Sequence, residues 1–531
     1  MKNMIKFTFA LALLASFALT GCIKETFPQG GSATSEQMTS NTKAFESLVR
    51  GIPGYLQQPT THAGQHYEIG YPAMITIREM LSNDVAIENI GYEWFGAWHE
   101  NTYQGENYIY GQYIWNYYTE CVMNCNKVIQ FDKGEETDEA FLADIGAAYA
   151  YRAMLWLDMG QMYEFKPNAY TTADNIIGMT IPHLHENLTE KEARNNPRLP
   201  KDELIALIRA DLDKAIAYTH GRERLSISFP GEAVAYGLLA RLEMWAENYD
   251  AAREAAQKAI DLSGCTPLTE EEWTSTISGF NSRGSQNSWM LALALTEESP
   301  AIKTGILNSA SWFSSETSFG YCGAGAFRKA DAKFYSNISD SDFRKKSWKA
   351  PEGSALDVPM IVNTTYYDSS NLPELAGVKF RPGSGNADDY LIGAKVDFPL
   401  MRVEEMYFII AECDARKGDA TSLFNFMRSY RNPNYNILYD GDRLVAEVLF
   451  QKRVEFWMEG IVFFDYKRCP DLMSIERGYA GTNHYPSSCL NCDGLAPWMN
   501  ICFVVTETNQ NPSLINNPDP SQTVELWTGE E

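Results

Sequence analysis

The chain has few histidines, few basic residues and, past its first two dozen positions, no long apolar run. Its 531 residues include 7 His, and 44 Lys and Arg stand against 69 Asp and Glu, for a net charge of −25. So few imidazoles leave a Ser or Cys triad few candidate bases. No Walker loop, no HExxH and no G-x-S-x-G is present. Acidity on this scale argues against nucleic acid or an anionic lipid surface as the main partner. Carboxylates are abundant, and a glycosidase needs only two. Yet Glu404-Glu405 and the pair Glu455 and Glu459 fall in predicted helices, where bonds to backbone or arginines are the plainer role. The expectation is therefore a protein that is not an enzyme, with no cofactor and no metal.

The one apolar run of length is at the start. Lys2 and Lys6 precede Phe7 to Leu19, which is too short to span a bilayer as a helix and reads as the core of an export signal. It ends in Leu19-Thr20-Gly21-Cys22, which resembles the bacterial lipobox. The expectation is a signal peptide over 1–21 and acyl chains on Cys22, enough for stable anchoring. The competing reading is ordinary secretion with a chance cysteine. Residues 22–42 are polar, with Pro28, Gly30 and Gly31, and read as a flexible tether. The body, 43–531, reads as one domain held at a surface.

That body is predicted to be mainly α. From Phe141 to Tyr163, Phe141, Ile145, Ala148, Leu155, Met159 and Met162 recur at helical spacing, interrupted by Arg152. Ala147, Ala150, Met154 and Leu157 add a second apolar side, so the helix must be covered twice, as in stacked helix pairs. Glu203 to Tyr218 repeats the pattern with Leu204, Ile208, Leu212 and Ala215. A helix over Glu232 to Ala246, a turn at Glu247-Asn248 and a second helix from Tyr249 to Ile260 resemble a tetratricopeptide repeat, with Ala252, Ala256 and Ala259 on the packing side. Met401 to Tyr430 gives another pair, broken at Lys417-Gly418-Asp419, and Leu444 to Met458 one more helix.

Between them, 265–395 is rich in Gly, Ser, Asn and aromatics and lacks a period. Ser282-Arg283-Gly284-Ser285, Gly320 to Gly325 and Pro382-Gly383-Ser384-Gly385 are loop signals. This divides the body into a part of about 43–264, an irregular insertion of about 265–395, and C-terminal helices and tail of about 396–531. Irregular segments on a rigid scaffold are where binding residues tend to lie. Ten cysteines include Cys22, so an odd number remains. Cys121 and Cys125 share a helix face; Cys489, Cys492 and Cys502 cluster late near His484. A regular zinc-ligand spacing is absent, which favours disulfides or buried thiols.

The strongest local sign of binding is Gly91-Tyr92-Glu93-Trp94-Phe95-Gly96-Ala97-Trp98-His99-Glu100-Asn101, where aromatics stand between glycines without a helical or strand period. Indole faces suit the apolar C–H faces of sugar rings, and neighbouring Asn and Asp suit hydroxyls.

Several motifs in order resemble the SusD/RagB lipoproteins of Bacteroidetes. They are Trp115-x-x-Tyr118 leading to Cys125-Asn126-Lys127-Val128-Ile129, Asp211-Leu212 with Ala215, and Asp340-x-Asp342-x-Arg344. Phe398-Pro399-Leu400-Met401-Arg402 with Ala411-Glu412-Cys413 follows, then Arg453-x-Glu455-Phe456-x-x-Glu459-Gly460, Phe464-Asp465-x-x-Arg468, Asn511-Pro512-x-Leu514 and Asn517-Pro518. The chain departs from the family where Lys452-Arg453 replaces Glu-Arg and where Val462 replaces Arg. The resemblance implies a tetratricopeptide-like helical scaffold with a loop-rich binding region, on the outer cell surface. It also implies work beside a SusC-like TonB-dependent transporter, to which an oligosaccharide is delivered. Carried over onto this chain, it implies Trp94, Trp98 and Asn101 as ligand-binding residues, with Asp84 upstream. The place of Trp312 and Phe313 in the irregular insertion offers them as an opposing wall; the competing reading of these aromatics is core packing or a seal on the transporter contact. Two other readings stay open: a peptide-capturing member of the same family, and a tetratricopeptide scaffold that binds no ligand.

Overall fold

The computed structural model describes residues 42–58, 66–88, 90–134, 138–281, 287–295, 309–362, 368, 371–437 and 439–529. The leader, Cys22, residues 23–41 and the predicted loop Ser282 to Ser285 lie outside them. The chain divides into a leading unit, Met1–Ser47, and a second, Leu48–Glu531. Helix α1, Thr42–Gln57, begins in the first, and the fold lies in the second.

The periodic segments are helices: α2 (Gly70–Leu81), α3 (Ile109–Ile129), α4 (Glu139–Tyr163), α5 (Lys201–Thr219), α6 (Glu232–Trp245) and α7 (Tyr249–Ser263). After the insertion come α8 (Val403–Ala415), α9 (Thr421–Tyr430), α10 (Gly441–Glu455) and α11 (Val462–Arg468). Neighbours pack in succession: α3 on α4, α4 on α5, α5 on α6, α6 on α7, α7 on α8, and α8 on α9 and α10. No helix among the described residues is long and apolar enough to cross a membrane.

Helix α4 begins at Asp138, whose carboxylate accepts from the Phe141 N–H at 2.9 Å. Every residue from Ile145 to Tyr163 is buried, which explains its lack of a single apolar stripe: α3 and α5 cover it from different sides. Arg152, the polar interruption, is the tie between those neighbours. Its guanidinium donates to both Asp211 oxygens of α5 at 2.7 and 2.8 Å, and to Asn126 of α3 at 2.8 Å. In α7, Ala252, Ala256 and Ala259 are fully buried. Small side chains there let α7 approach α6 and α8 closely.

Helices α7 and α8 are neighbours although the insertion separates them in sequence. The insertion is therefore extruded from a continuous helical stack. A two-stranded antiparallel ribbon closes its base, pairing Trp289–Leu293 (β1) with Phe398–Arg402 (β2). Among the described residues of the insertion no helix exceeds five residues.

The acidic residues of the C-terminal motifs are counter-ions. Glu455 faces Arg344, Arg402 and Arg431; Glu459 faces Lys379 and Arg402; Glu405 faces Arg241. Burial alone would raise the Glu455 carboxyl, but Arg431, Arg402 and Arg344 outweigh it and hold the group well below the usual carboxylate range. The two departures from the family pattern are accommodated: Lys452 pairs with Asp465 at 2.7 Å, and Val462 is buried. The cysteines from Cys121 to Cys502 are free thiols, all buried except the half-buried Cys265.

Candidate functional site

The segment from Gly91 to Thr102 folds as bends around one helical turn, Gly96–His99. It is pinned from within. Glu93 forms an ion pair with Arg328, and neither side chain is more than 2% exposed. The other Glu93 oxygen accepts from the Phe95 N–H at 3.1 Å. With Glu93 turned inward, the residues on either side are turned out: Tyr92 is 58% and Trp94 36% exposed.

The other sequence candidates serve the fold. Trp98 is fully buried, edge-on to Tyr110 at 4.8 Å and to Tyr67 at 5.6 Å. It offers no face to a ligand. Trp312 is also fully buried; its indole N–H donates to Thr76 at 3.1 Å, and its ring lies 6.2 Å from Phe95. It therefore stands behind the loop and is not an opposing wall. Asp84 is buried and paired with Arg453 of α10, while its carbonyl accepts from Trp457 at 3.0 Å. Asn101 is buried with φ 49°, and its amide donates to Pro520 O at 2.7 Å. Of the five ligand-binding candidates, Trp94 alone reaches solvent.

A cleft of about 190 Å³ opens beside this loop. Glu93, Gly96, Ala97, His99, Glu100 and Thr102 form one side, with Ile87, Tyr103 and Tyr110; Tyr485 and Ser488 come from the far end of the chain. Tyr103 is 52% and Tyr485 38% exposed. Tyr103 lies parallel to Tyr110 at 6.3 Å and edge-on to Tyr108 at 5.1 Å, and Tyr108 is itself exposed. The result is a shelf of rings around a shallow opening. Its volume is below the ~300–1,000 Å³ of pockets that enclose a small ligand. It suits a ligand that lies across it and projects past both ends.

The shelf is held in a strained form. Tyr103 has φ 58°, a left-handed conformation that bulky side chains rarely adopt. Residues 519–522 strap it there: Ser521 Oγ accepts from the Gln104 N–H at 2.8 Å, and Gln522 N donates to Asn101 O at 3.1 Å. A Cβ at Gly105 would stand 2.1 Å from an Asp519 side-chain oxygen, so a larger residue there would have to displace that carboxylate. Strain of this kind persists where surrounding contacts enforce it and gathers at ligand clamps.

Beneath the cleft, Ser487 donates to Glu100 at 2.6 Å, and His99 meets His484. Burial, then Arg477 and His484, push the His99 pKa well below 6.5. Two other cavities are less suited to sugar. One of about 410 Å³, at the start of α6, is lined by Arg222, Glu223, Arg224 and Glu232 and holds no aromatic side chain. Another of about 50 Å³ lies within the ionic core around Arg78, Asp158 and Arg241.

The tyrosines at 103, 108 and 110 were visible as a run just past the loop motif. Tyr485 carried no sequence signal, because only the fold brings it there.

A family model described as the SusD family matches residues 324–488. A solved SusD-like carbohydrate binding protein from Bacteroides vulgatus is 20% identical, with a TM-score of 0.69 over 89% of this chain and 97% of that one. A SusD superfamily protein from Bacteroides thetaiotaomicron is 17% identical, with a TM-score of 0.67 over 90% and 99%. Surface glycan-binding protein A from Bacteroides uniformis is 17% identical, with a TM-score of 0.62 over 90% and 99%. No curated protein matches. The resemblance read from the motifs and the mainly helical architecture both stand.

Proposed function

From a chain with the SusD-like fold and a SusD family segment, we propose a cell-surface glycan-binding lipoprotein, anchored through Cys22 in the outer membrane. It captures an oligosaccharide and hands it to a SusC-like TonB-dependent transporter. The observation that carries the reading is the pair of exposed rings that line the cleft, Tyr103 and Tyr485, with exposed Tyr108 packed against Tyr103 and exposed Tyr92 and Trp94 in the same loop. Rings that face water are costly to solvate and are offered for stacking; a pure scaffold has no use for one enforced by a left-handed tyrosine.

The protein binds and does not cleave. Glu93, one of two carboxylates lining the cleft, is tied to Arg328. The acid pairs of the helices are engaged by arginines.

The test is calorimetry of the full-length chain against oligosaccharides and peptides, with Trp94→Ala and Tyr103→Ala in parallel. Glycan binding lost in Tyr103→Ala, with no hydrolysis products, supports both function and site. Binding of basic peptides alone would install the peptide-capturing reading, which the carboxylates of the cleft favour. Binding of neither returns the scaffold reading.

A further inference from the structure

We infer that the cleft selects uncharged saccharides and turns away those that carry carboxylates or sulfates. The inference rests on the glycan-binding reading of the same cleft and adds the chemical class of its ligand.

Among the described residues lining the cleft there is no lysine or arginine. The groups that line it are two carboxylates, Glu93 and Glu100, and the hydroxyls of Thr102, Tyr103, Tyr110, Tyr485 and Ser488, with His99 at the base. The basic residues nearby are already committed. Arg328 is held by Glu93 and is fully buried. Lys329 is held at 2.8 Å by Glu88, which follows the lining residue Ile87. Arg477 lies beneath, buried, donating to the carbonyls of His99, Met80 and Ser82. The remaining candidate cation is His99. Its Nδ1 lies 3.2 Å from Met80 O and its Nε2 3.2 Å from His484. Met80 O draws its ring proton to Nδ1, and burial beside the Arg477 guanidinium keeps a second proton off, so it has no positive charge to offer.

Recognition of an acidic saccharide uses charge-assisted bonds from guanidinium or ammonium groups. Here such a ligand would set its anion against Glu100 with no cation to answer it, in a partly desolvated site where like charges repel more than in water. A neutral sugar meets no such cost. Its ring faces lie on Tyr103 and Tyr485, and its hydroxyls donate to Glu100 and exchange bonds with the tyrosine and serine hydroxyls. Glu100 is thus the specificity-determining residue. Its carboxylate already accepts from Ser487 at 2.6 Å, which holds it in place.

The experiment is a titration of the full-length chain with two sets of hexasaccharides. One set is neutral: xylan-, mannan-, cellulose-, amylose- and laminarin-derived. The other is acidic: galacturonate, alginate and chondroitin sulfate. The expected result is that the best neutral probe binds at least about tenfold more tightly than any acidic one. Added salt should narrow the gap by screening, and Glu100→Gln should narrow it by improving the acidic probes. An acidic probe bound as tightly as the best neutral one overturns the inference and leaves the glycan-binding reading intact. A gap that neither salt nor Glu100→Gln changes also overturns it, since selectivity would then not be electrostatic. Failure of every saccharide overturns both.

Discussion

His99 Nε2 lies 3.2 Å from His484 Nδ1, joining positions 385 residues apart, with the two rings nearly parallel at 21°. Met80 O accepts from the far nitrogen of His99, which places that ring proton on Nδ1. On its other side His484 faces Asp331 at 3.3 Å, and Asp331 also accepts from Tyr479 at 2.6 Å. A second proton on His99 would be buried beside the Arg477 guanidinium.

Acid should therefore weaken the fold through His99. Below about pH 6.5 the unfolded imidazole takes up a proton that the native one refuses. Each further pH unit then removes about 1.4 kcal/mol of stability. Glu79 works the other way. Burial pushes it up to about 8, so it keeps a proton in the native state that the unfolded chain gives up above about 4.5, and its effect weakens the fold as pH rises. Denaturant unfolding of wild type and His99→Gln across this range separates the two. The wild-type advantage should shrink as pH falls below about 6.5; a constant gap would show that His99 takes no part.

Trp98 and Trp94 should part company on truncation. Trp98→Ala empties a fully buried site and should cost about 3–5 kcal/mol. Trp94→Ala, at a partly exposed ring, should change stability by less than about 1 kcal/mol. Denaturant midpoints of the two variants decide it, and equal losses would put Trp94 in the core.

Breaking the Glu93–Arg328 pair from one side leaves a buried charge alone. Arg328→Met should cost about 3–5 kcal/mol, and Glu93→Gln with Arg328→Met should cost less than the sum of the single changes. Additive losses in a double-mutant cycle would show that the pair does not hold the loop.

Tyr103→Gly should separate stability from binding. Glycine accepts φ 58° freely, so the fold should gain up to about 1 kcal/mol. Glycan affinity should fall about tenfold or more with the loss of a stacking ring. A less stable variant would mean that Tyr103 is retained for packing.

The helices were legible because each must bury a patterned face. Predicted Glu203 to Tyr218 is observed as Lys201–Thr219, and the turn at Glu247-Asn248 falls between α6 and α7. Ala252, Ala256 and Ala259 pack as their spacing required. The loop from Gly91 to Asn101 was legible as a distinct segment, but not ring by ring. Nothing local distinguishes Trp94 from Trp98; what buries the second is Tyr67 and Tyr110, which the fold delivers. In the same way Asp84 reads as a free acid until Arg453 of α10 is placed against it. Ser487 and Glu100 meet across 387 positions, so that side of the cleft was out of reach of any window on the sequence.

Because Tyr485 and the strap at 519–522 complete the shelf begun at Gly91, the site does not exist on a partly made chain. As the chain is made, the early loop emerges long before the segments that shape it. A product cut short by a dozen residues would keep its helical stack and lose its grip on the loop. The shelf is thereby confined to finished molecules.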